Sequence, residues 1–395
     1  MSLPRLSNAQ ARNRFLAAHA LDRSASGLAL PDLIDRLGFV QVDSISTVER
    51  AHHMILSARS RPYRPKHLTP HLHRHRTVFE HWTHDASIIP TAFFPHWHLM
   101  FRREQARLAT HWRKWHGEDF ERKLDATLDR IAANGPCMAR EVGEDETGSS
   151  GGWWEWNPSK AALEFLWRTG RLAVCRREGF QKVYDLTERV IPAGHRTDTP
   201  DEAESIDWAC NAALDRLGFG TSGEIAGFWD LVRPEQARDW CQANLGSRLI
   251  EIEVEGVDGK PRKSFARPDI VDRPSAAISG GVRILSPFDP VLRNRNRAER
   301  LFGFHFRIEI FVPPARRRYG YYVFPVIERD RLIGRIDMKR TGTPQMLAVT
   351  ACWPEAEVRP SRGRLDRIEA EITRVARFSG CEGVIFADGW LREPG

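Results

Sequence analysis

Apolar and polar positions alternate with helical spacing through most of the first sixty residues. The pattern predicts a first helix that Ser7 or Asn8 caps and a second helix over residues 31–37, which Gly38 ends. The stretch SISTVERAHHMILSAR (44–59) predicts a third helix. Three helices with short connections form a helix-turn-helix-like unit.

A strand-like stretch, GFVQVDSIS (38–46), separates the second and third predicted helices. Its apolar residues alternate around Gln41 and Asp43, whose side chains point the same way because successive side chains of a strand face opposite sides. A carboxylate at such a position is usually solvated, or it caps a helix that follows. The pattern alone leaves open whether Asp43 has a structural or a catalytic role.

The helical pattern recurs twice along the chain, each time followed by a predicted β-hairpin. The first recurrence breaks at Gly135-Pro136, where a new helix is predicted to start, and its hairpin turns near Glu178-Gly179. The polar stretch 193–205 is the predicted linker to the second recurrence. Three helices and a hairpin are typical of winged-helix modules, which most often bind nucleic acid.

From residue 281 onward, short strands predict a small β-barrel or curled sheet, and an amphipathic helix that ends at Gly380 closes the chain. The predicted fold is therefore α+β, with three tandem winged-helix domains followed by a small C-terminal β-barrel and a closing helix. The predicted domains are a first winged-helix unit with an extension (1–120), a second winged helix (121–195), a third with its linker (196–280) and the β-barrel-like domain (281–395).

The basic residues of the chain are clustered. Its 395 residues contain 59 Lys and Arg against 52 Asp and Glu, so the net charge of +7 is modest. Four arginines fall between residues 293 and 300, and three are consecutive at 316–318. Such clusters predict a phosphate-bearing partner more strongly than the net charge does.

The cysteines and the apolar runs predict a cytoplasmic protein. Six cysteines are far apart without a C-x-x-C pair, which is typical of reduced, buried thiols. The N-terminal stretch MSLPRLSNAQARNRF lacks the apolar core of a signal peptide. No apolar run approaches the ~18 residues that a membrane span needs, so we expect no membrane association.

Histidine is unevenly distributed, with 12 of the 15 histidines between His52 and His116. The region has no Cys partner and no H-E-x-x-H pair, so it favours polar-surface or DNA-facing histidines over a metal site. The chain also lacks a G-x-x-x-x-G-K-[ST] loop and a G-x-G-x-x-G after a strand, which argues against ATP and NAD. The sequence thus predicts neither a metal nor a cofactor.

Three further stretches mix aromatic and charged residues. FEHWTHDASIIP (79–90) is either a polar pocket wall that includes Trp82 and His84 or a buried tryptophan with solvated neighbours. The three tryptophans of GGWWEWNPSK (151–160) stack on bases or pack against a neighbouring element, and packing is the better interpretation. Asp289 in SPFDP is interpreted as a helix cap or as a partner of an arginine.

Taken together, several blocks resemble one known family. GFVQVDSIS, FEHWTHDASIIP, GGWWEWNPSK, FQKVYDLTERVIP, SPFDPVLRNRNRAERLFGF and RRRYGYYVFPV are similar to the YcaQ-like winged-helix DNA glycosylases, which are related to AlkZ. The resemblance runs from LPRLSNAQAR to the last helix. It implies tandem winged helices with a β-barrel, removal of N-alkylated purines and unhooking of interstrand crosslinks in base excision repair. The family's signature of Gln, an apolar residue, then Gln or Asp falls on Gln41, Val42 and Asp43.

The chemistry implied by the resemblance fits these residue types. Breaking an N-glycosidic bond produces an oxocarbenium-like sugar, which a nearby carboxylate such as Asp43 stabilises. A purine alkylated at N7 is already cationic and leaves without an acid, and the Gln41 amide can hold the attacking water. Because no lysine lies between Met1 and Arg64, we expect no local Schiff-base nucleophile and a monofunctional DNA glycosylase.

The resemblance also suggests which residues meet double-stranded DNA. We expect Arg316, Arg317 and Arg318, with Tyr319, to enter the minor groove. The predicted phosphate and pocket contacts are Arg176, Lys182, Arg293, Arg295, Arg297, Trp82 and His84. We expect a monomer that associates with the nucleoid when it binds DNA.

Two other functions remain open at this stage. A non-catalytic winged-helix regulator would need basic recognition helices but no carboxylate beside Gln41. An RNA-binding protein or nuclease is the second alternative, although the chain lacks the carboxylate cluster of two-metal nucleases. Release of a free base from alkylated DNA without added metal would distinguish a glycosylase from both.

Overall fold

The N-terminal helices form where the sequence predicts them, with one late start. Strand β1 (Arg5–Leu6) precedes α1 (Asn8–Ala18), which begins with a capping box between Ser7 and Gln10. Helix α2 (Leu30–Leu37) ends at Gly38, whose φ of 86° suits glycine. After the short strand β2 (Val40–Gln41), α3 (Ala51–Arg59) begins seven residues later than the predicted helix.

The computed structural model describes residues 2–116, 120–142, 158–359 and 361–394. These residues form two compact units. The first unit comprises Met1–Pro65, Ala213–Ile225 and Arg238–Gly395, and the second comprises Lys66–Ala212 and Ala226–Ala237. The four predicted domain segments are a finer division, and their boundaries stay a prediction.

The second unit is built on two β-hairpins and the helices between them. Its elements are α4 (Thr69–His73), β3 (Val78–Trp82), β4 (Ala86–Pro90), α5 (Phe94–His116), α6 (Phe120–Asn134), β5 (Cys137–Met138), α7 (Pro158–Arg168), β6 (Leu172–Glu178), β7 (Gln181–Leu186) and α8 (Thr187–Val190). Apolar residues of α6, α7 and the β6–β7 hairpin share one core around Trp167. The hairpin turns where predicted, but β5 and a short turn replace the helix predicted after Gly135-Pro136.

Three helices and a hairpin recur in the next part of the chain. They are α9 (Glu202–Leu217), β8 (Phe219–Gly220), α10 (Ser222–Trp229), α11 (Pro234–Asn244), β9 (Ile250–Glu255) and β10 (Pro261–Ala266). The strands form a sheet in the order β1-β9-β10-β8, in which β1 runs parallel to β9. The N-terminus of the chain therefore extends the sheet of this hairpin.

The C-terminal part of the first unit is a five-stranded sheet. Its elements are β11 (Val282–Ile284), α12 (Pro290–Arg293), α13 (Arg295–Phe302), β12 (Val323–Glu328), β13 (Arg331–Thr341), β14 (Met346–Pro354), α14 (Arg362–Phe378) and β15 (Gly383–Phe386). The strand order is linear from β11 to β15, and α14 packs against both outer strands. This arrangement fits the curled-sheet alternative, while closure into a barrel stays a prediction. The mixed α+β class is confirmed.

A fully buried ion pair joins α3 to the start of α12. The Arg59 guanidinium donates to the Asp289 carboxylate at 2.7 and 2.9 Å, and neither side chain is exposed to solvent. Asp289 also caps α12 by accepting from the Val291 N–H at 3.1 Å. Arg59 uses its remaining donors on the carbonyls of His19 and Ile55. Both roles that the sequence suggested for Asp289, cap and arginine partner, are confirmed.

We predict that Asp289→Asn lowers the free energy of unfolding by about 3–5 kcal/mol. Asparagine caps a helix about as well as aspartate, so the loss isolates the Arg59 charge that is left buried without a counter-charge. Urea unfolding measures the loss. The control is Asp269→Asn, which removes an exposed carboxylate from Arg273 and should cost less than about 1 kcal/mol. Equal losses in the two variants would contradict the prediction.

Candidate functional site

Gln41 and Asp43 lie at the end of β2, one buried and one half-buried. Val40 and Val42 are buried on either side of Gln41, whose side chain is itself only 5% exposed. One oxygen of the Asp43 carboxylate accepts a hydrogen bond from the Ile45 N–H at 2.7 Å. Because α3 begins only at Ala51, Asp43 does not cap that helix, so the capping interpretation is wrong.

The loop that follows Asp43 (residues 44–50) is held by the end of β13. The Arg340 N–H donates to the Thr47 carbonyl at 2.8 Å, and the Arg340 guanidinium reaches the Ser46 hydroxyl at 3.4 Å. The same guanidinium donates to the Ser379 carbonyl at 3.4 Å, just after α14. These contacts fix the backbone on the C-terminal side of Asp43.

Tyr322 is the buried neighbour of Asp43 in the first unit. Burial raises the pKa of the Tyr322 hydroxyl, and the negative charge of Asp43 raises this pKa further. The hydroxyl oxygen is enclosed and lies beside Ser286, yet no hydrogen bond of ordinary geometry satisfies it within the described residues. The phenol therefore stays protonated as a donor close to the carboxylate.

A cleft of about 560 Å³ opens next to Tyr322, with Thr47 in its wall. Its lining combines positive charge with aromatic surface: Arg317, Arg318, Lys339, Arg392, Tyr319, Tyr321 and Trp353. The volume falls within the ~300–1,000 Å³ that is typical of ligand sites. Cations beside aromatic rings suit a nucleotide, because the cations bind phosphate and the rings stack on a base.

Five of the lining residues, including Arg317, Arg318 and Tyr319, belong to a loop over residues 313–320, which we call the arginine loop. The Glu309 carboxylate accepts hydrogen bonds from the N–H groups of Arg318, Tyr319 and Gly320 at 3.0, 2.9 and 2.9 Å. Burial raises the pKa of Glu309, but these three bonds outweigh it and hold the pKa below its ordinary value. Glu309 thus fixes the loop backbone while the side chains of Arg316 and Arg318 remain exposed.

Tyr319 has a rigid place within this loop. The Arg335 guanidinium lies 4.3 Å from the Tyr319 ring centroid, and that of Arg318 lies 4.9 Å from it. The edge of the ring meets Trp353 at 5.3 Å. Arg335 is 4% exposed and pairs with Glu355 at 2.6 Å, so its guanidinium is held in place against the Tyr319 ring.

The three arginines predicted on and before α13 have different surroundings. The Arg293 guanidinium lies 4.7 Å from the ring of Phe39, the residue just before β2, and Arg295 is exposed. Arg297 is 1% exposed, lies between two phenylalanine rings and pairs with Glu224 at 3.4 Å. It is not available to a phosphate, which corrects the expectation for this residue; those for Arg293 and Arg295 stay predictions.

Most of the predicted contact residues of the second unit already have partners within the protein. Lys182 lies 3.4 Å from the Trp167 ring centroid and 3.3 Å from Glu164, and burial lowers its pKa. Arg176 is exposed beside Glu178 at 2.8 Å. The Trp82 ring lies under the Arg168 guanidinium at 4.5 Å, and His84 is exposed. Contacts of Trp82, His84, Arg176 and Lys182 with DNA stay predictions.

Several of the clustered histidines are interior residues. Burial lowers the pKa of His53 to about 4 and that of His81 to about 4, so both are neutral at pH 7. His53 bonds the Tyr63 hydroxyl at 2.7 Å, and His81 lies 3.1 Å from the Trp167 carbonyl. Within the described part of the chain, no group of three or more His, Cys, Asp or Glu is arranged to hold a metal.

Four residues of the first unit were not predicted: Glu309, Tyr322, Asp337 and Trp353. Their neighbours are distant in sequence or come from a different strand, so no local spacing pointed to them. Trp153, Trp154 and Trp156, which were predicted to pack or to stack on bases, lie outside the described residues. No helix in the ranges that the structure covers is long and apolar enough to cross a membrane.

Comparison with known proteins gives a consistent result. The family model described as DNA glycosylase AlkZ-like matches residues 34–378, a range that includes Gln41, Asp43 and the arginine loop. Among solved structures, the Streptomyces sahachiroi DNA glycosylase AlkZ matches with a TM-score of 0.64 and 17% sequence identity. The match covers 97% of this chain and 100% of the other. At this identity, the structural likeness establishes a shared fold.

We predict that Glu309→Gln weakens binding to duplex DNA about tenfold. The variant loses charge-assisted hydrogen bonds to three backbone N–H groups, so the arginine loop must be ordered on binding. Fluorescence anisotropy with a labelled duplex measures the affinity. Glu369→Gln on the exposed face of α14 is the matched control for the change in net charge. If both variants bind equally well, Glu309 does not organise the loop for DNA.

Proposed function

Because the chain belongs to the AlkZ-like DNA glycosylase family, we propose that it hydrolyses the N-glycosidic bond of cationic N7-alkylated purines in double-stranded DNA and unhooks interstrand crosslinks. The observation that carries the proposal is the pair at the end of β2. There, a carboxylate oriented by the Ile45 N–H follows a buried glutamine by two residues. A cleft with cations and aromatic rings is lined by Thr47, on the loop that follows Asp43, and by Tyr322, whose pKa the charge of Asp43 raises.

In the proposed reaction, the bond between the sugar C1′ and the purine nitrogen breaks with its electron pair moving to the purine. The alkylated purine loses its positive charge and leaves as a neutral base, so no acid has to protonate it. The Asp43 carboxylate stabilises the positive charge that develops on the sugar. Water held by the Gln41 amide then attacks C1′, and Asp43 accepts its proton. These steps use neither a metal nor a cofactor.

We further propose a monofunctional enzyme that leaves an intact abasic site. Water is the nucleophile in the mechanism above, and no lysine precedes Lys66. The folded chain does bring one distant lysine to this region, because Lys339 lines the cleft together with Thr47. A lysine that acted as nucleophile would form a Schiff base with the sugar and allow strand cleavage. Strand cleavage that occurs only after alkali therefore indicates water as the nucleophile, and cleavage without alkali indicates a lysine.

The proposed binding mode rests on the distribution of cations. The arginine loop presents Arg316 and Arg318 to solvent, Arg293 lies beside Phe39 just before β2, and Arg295 is exposed. We propose that the loop enters the minor groove while the other arginines hold phosphates. A base within a crosslink cannot rotate freely out of the duplex, so the protein must approach such a lesion in place. The three winged-helix modules, the β-barrel, the monomeric state and the cytoplasmic, nucleoid-associated location belong to the same proposal.

We predict that Asp43→Asn lowers the rate of base excision by about a hundredfold or more. The amide keeps the size of the side chain but removes the charge that stabilises the sugar cation. Gln41→Ala should be milder, because water replaces part of the positioning by the amide. The assay measures release of 7-methylguanine from duplex DNA under single-turnover conditions, with alkali-dependent cleavage as a second readout.

The control for this prediction is Asp32→Asn, an exposed carboxylate in the first turn of α2. It should leave excision unchanged, and Asp43→Asn should bind DNA at least as tightly as the wild type. Full activity in Asp43→Asn would remove the central residue of the proposal. DNA binding without base release in the wild type would instead support a non-catalytic regulator.

We also predict that replacing Arg316, Arg317 and Arg318 with alanine weakens DNA binding and flattens its dependence on salt. Each phosphate contact that is lost reduces the slope of log K against log salt by about 0.9. Titrations at several salt concentrations measure this slope. Arg362→Ala, at the exposed start of α14, is the control for loss of a surface arginine. An unchanged slope in the triple variant would place the arginine loop away from the phosphates.

A further inference from the structure

The cleft beside Tyr322 contains groups that the proposed mechanism does not use. Asp337 on β13 contributes a carboxylate to its lining, and Trp353 on β14 contributes an indole. The buried Thr47 hydroxyl also lies in its wall without a hydrogen-bond partner among the described residues, and the buried Tyr322 hydroxyl lies beside Ser286 without a hydrogen bond of ordinary geometry. Donors and acceptors left unsatisfied in a cleft indicate a polar ligand.

Asp337 is the unusual member of this set. Four cationic side chains line the same cleft, yet the Asp337 carboxylate forms no ion pair or hydrogen bond among the residues that the structure describes. The carboxylate packs against Gly320, where an added Cβ would lie 3.0 Å from its Cγ and Oδ2 atoms. Gly320 thus leaves space for Asp337 at the base of the arginine loop. Burial raises the pKa of Asp337, and Lys339 lowers it.

The chemistry of a carboxylate distinguishes the two purines. A carboxylate is an acceptor with two oxygens side by side, which match the neighbouring N1–H and N2–H donors of guanine. Adenine presents a donor beside an acceptor on the same edge, so only one oxygen finds a partner. A guanine alkylated at N7 also carries a positive charge, which the carboxylate and the aromatic rings attract.

We propose that this cleft is a nucleobase subsite, in which Asp337 selects guanine-type bases and Trp353 supplies the stacking surface, with the Tyr319 ring nearly perpendicular to it. The wall of the subsite includes Thr47, which follows Asp43 on the same loop, and as a specificity site the subsite rests on the proposed glycosylase function. It takes the base of a monoadduct, which can leave the stack. The cations around it face the phosphate of the same nucleotide.

Equilibrium dialysis with the full chain tests the subsite without requiring catalysis. The probes are 7-methylguanosine, adenosine and inorganic phosphate. We expect 7-methylguanosine to bind at least tenfold more tightly than adenosine, and phosphate not to displace it. Asp337→Asn should bring the two affinities within about threefold, because an amide presents a donor beside an acceptor. Asp366→Asn, an exposed carboxylate on α14, should retain the preference.

The excision assay gives an independent readout. Asp337→Asn should lower the ratio of kcat/KM for 7-methylguanine over 3-methyladenine in duplex DNA by about tenfold, and Asp337→Glu should restore part of it. Equal binding of the two nucleosides by the wild type, or displacement of 7-methylguanosine by phosphate, would overturn the subsite. If Asp337→Asn excises both bases with the wild-type ratio of kcat/KM values, the subsite is also overturned, while the glycosylase function stays intact. A nucleoside preference without any excision would retain the subsite and refute the glycosylase function.

Discussion

The first unit depends on the buried ion pair between Arg59 and Asp289. These residues are 230 positions apart in sequence, and the pair fixes the C-terminal end of α3 against the first turn of α12. Because the same carboxylate also caps α12, one side chain determines where both elements meet. Placing two charges in the interior is costly unless the ions are also hydrogen-bonded, and each nitrogen of the Arg59 guanidinium donates to Asp289 or to a carbonyl group. The position of α3 in turn limits where the loop after Asp43 can run.

A second constraint governs how positive charge is presented around the cleft. Carboxylates that could neutralise the arginine loop are directed elsewhere: Glu309 bonds backbone N–H groups, and Glu355 pairs with the buried Arg335. The exposed guanidiniums of Arg316 and Arg318 therefore keep their charge available to a polyanion. At the same time, Glu309 and Arg335 hold the loop backbone and the Tyr319 ring, so fewer conformations are lost when DNA binds.

Local signals predicted much of the fold, and long-range packing accounts for what they missed. The helix cap at Ser7, one of two candidates from the sequence, the helix end at Gly38 and the hairpin at Gly179 each depend on residues close in sequence, and each was predicted. The predicted start of α3 was too early because residues 44–50 have helical spacing. In the structure, the Arg340 N–H donates to the Thr47 carbonyl and holds this segment as a loop. Charge clustering likewise could not separate Arg295 from Arg297, because burial depends on which face of α13 packs inward. The Gln41 and Asp43 pair was accessible from sequence, but Tyr322, Glu309 and Asp337 lie near the site only in the folded chain.

The surroundings of Asp43 explain how a carboxylate can be held firmly and still act on a cation. A backbone N–H orients one oxygen without adding a positive charge, unlike an arginine partner. Tyr322 provides the adjacent buried hydroxyl, and since burial and Asp43 both raise its pKa, it remains a neutral donor across the working pH range. The Ile45 N–H is a neutral donor, so this hydrogen bond orients the carboxylate without removing its negative charge. In a site partly shielded from water, that charge interacts strongly with a positive charge developing on a sugar. The same physical arrangement that fixes the geometry therefore preserves the electrostatics that the proposed reaction requires.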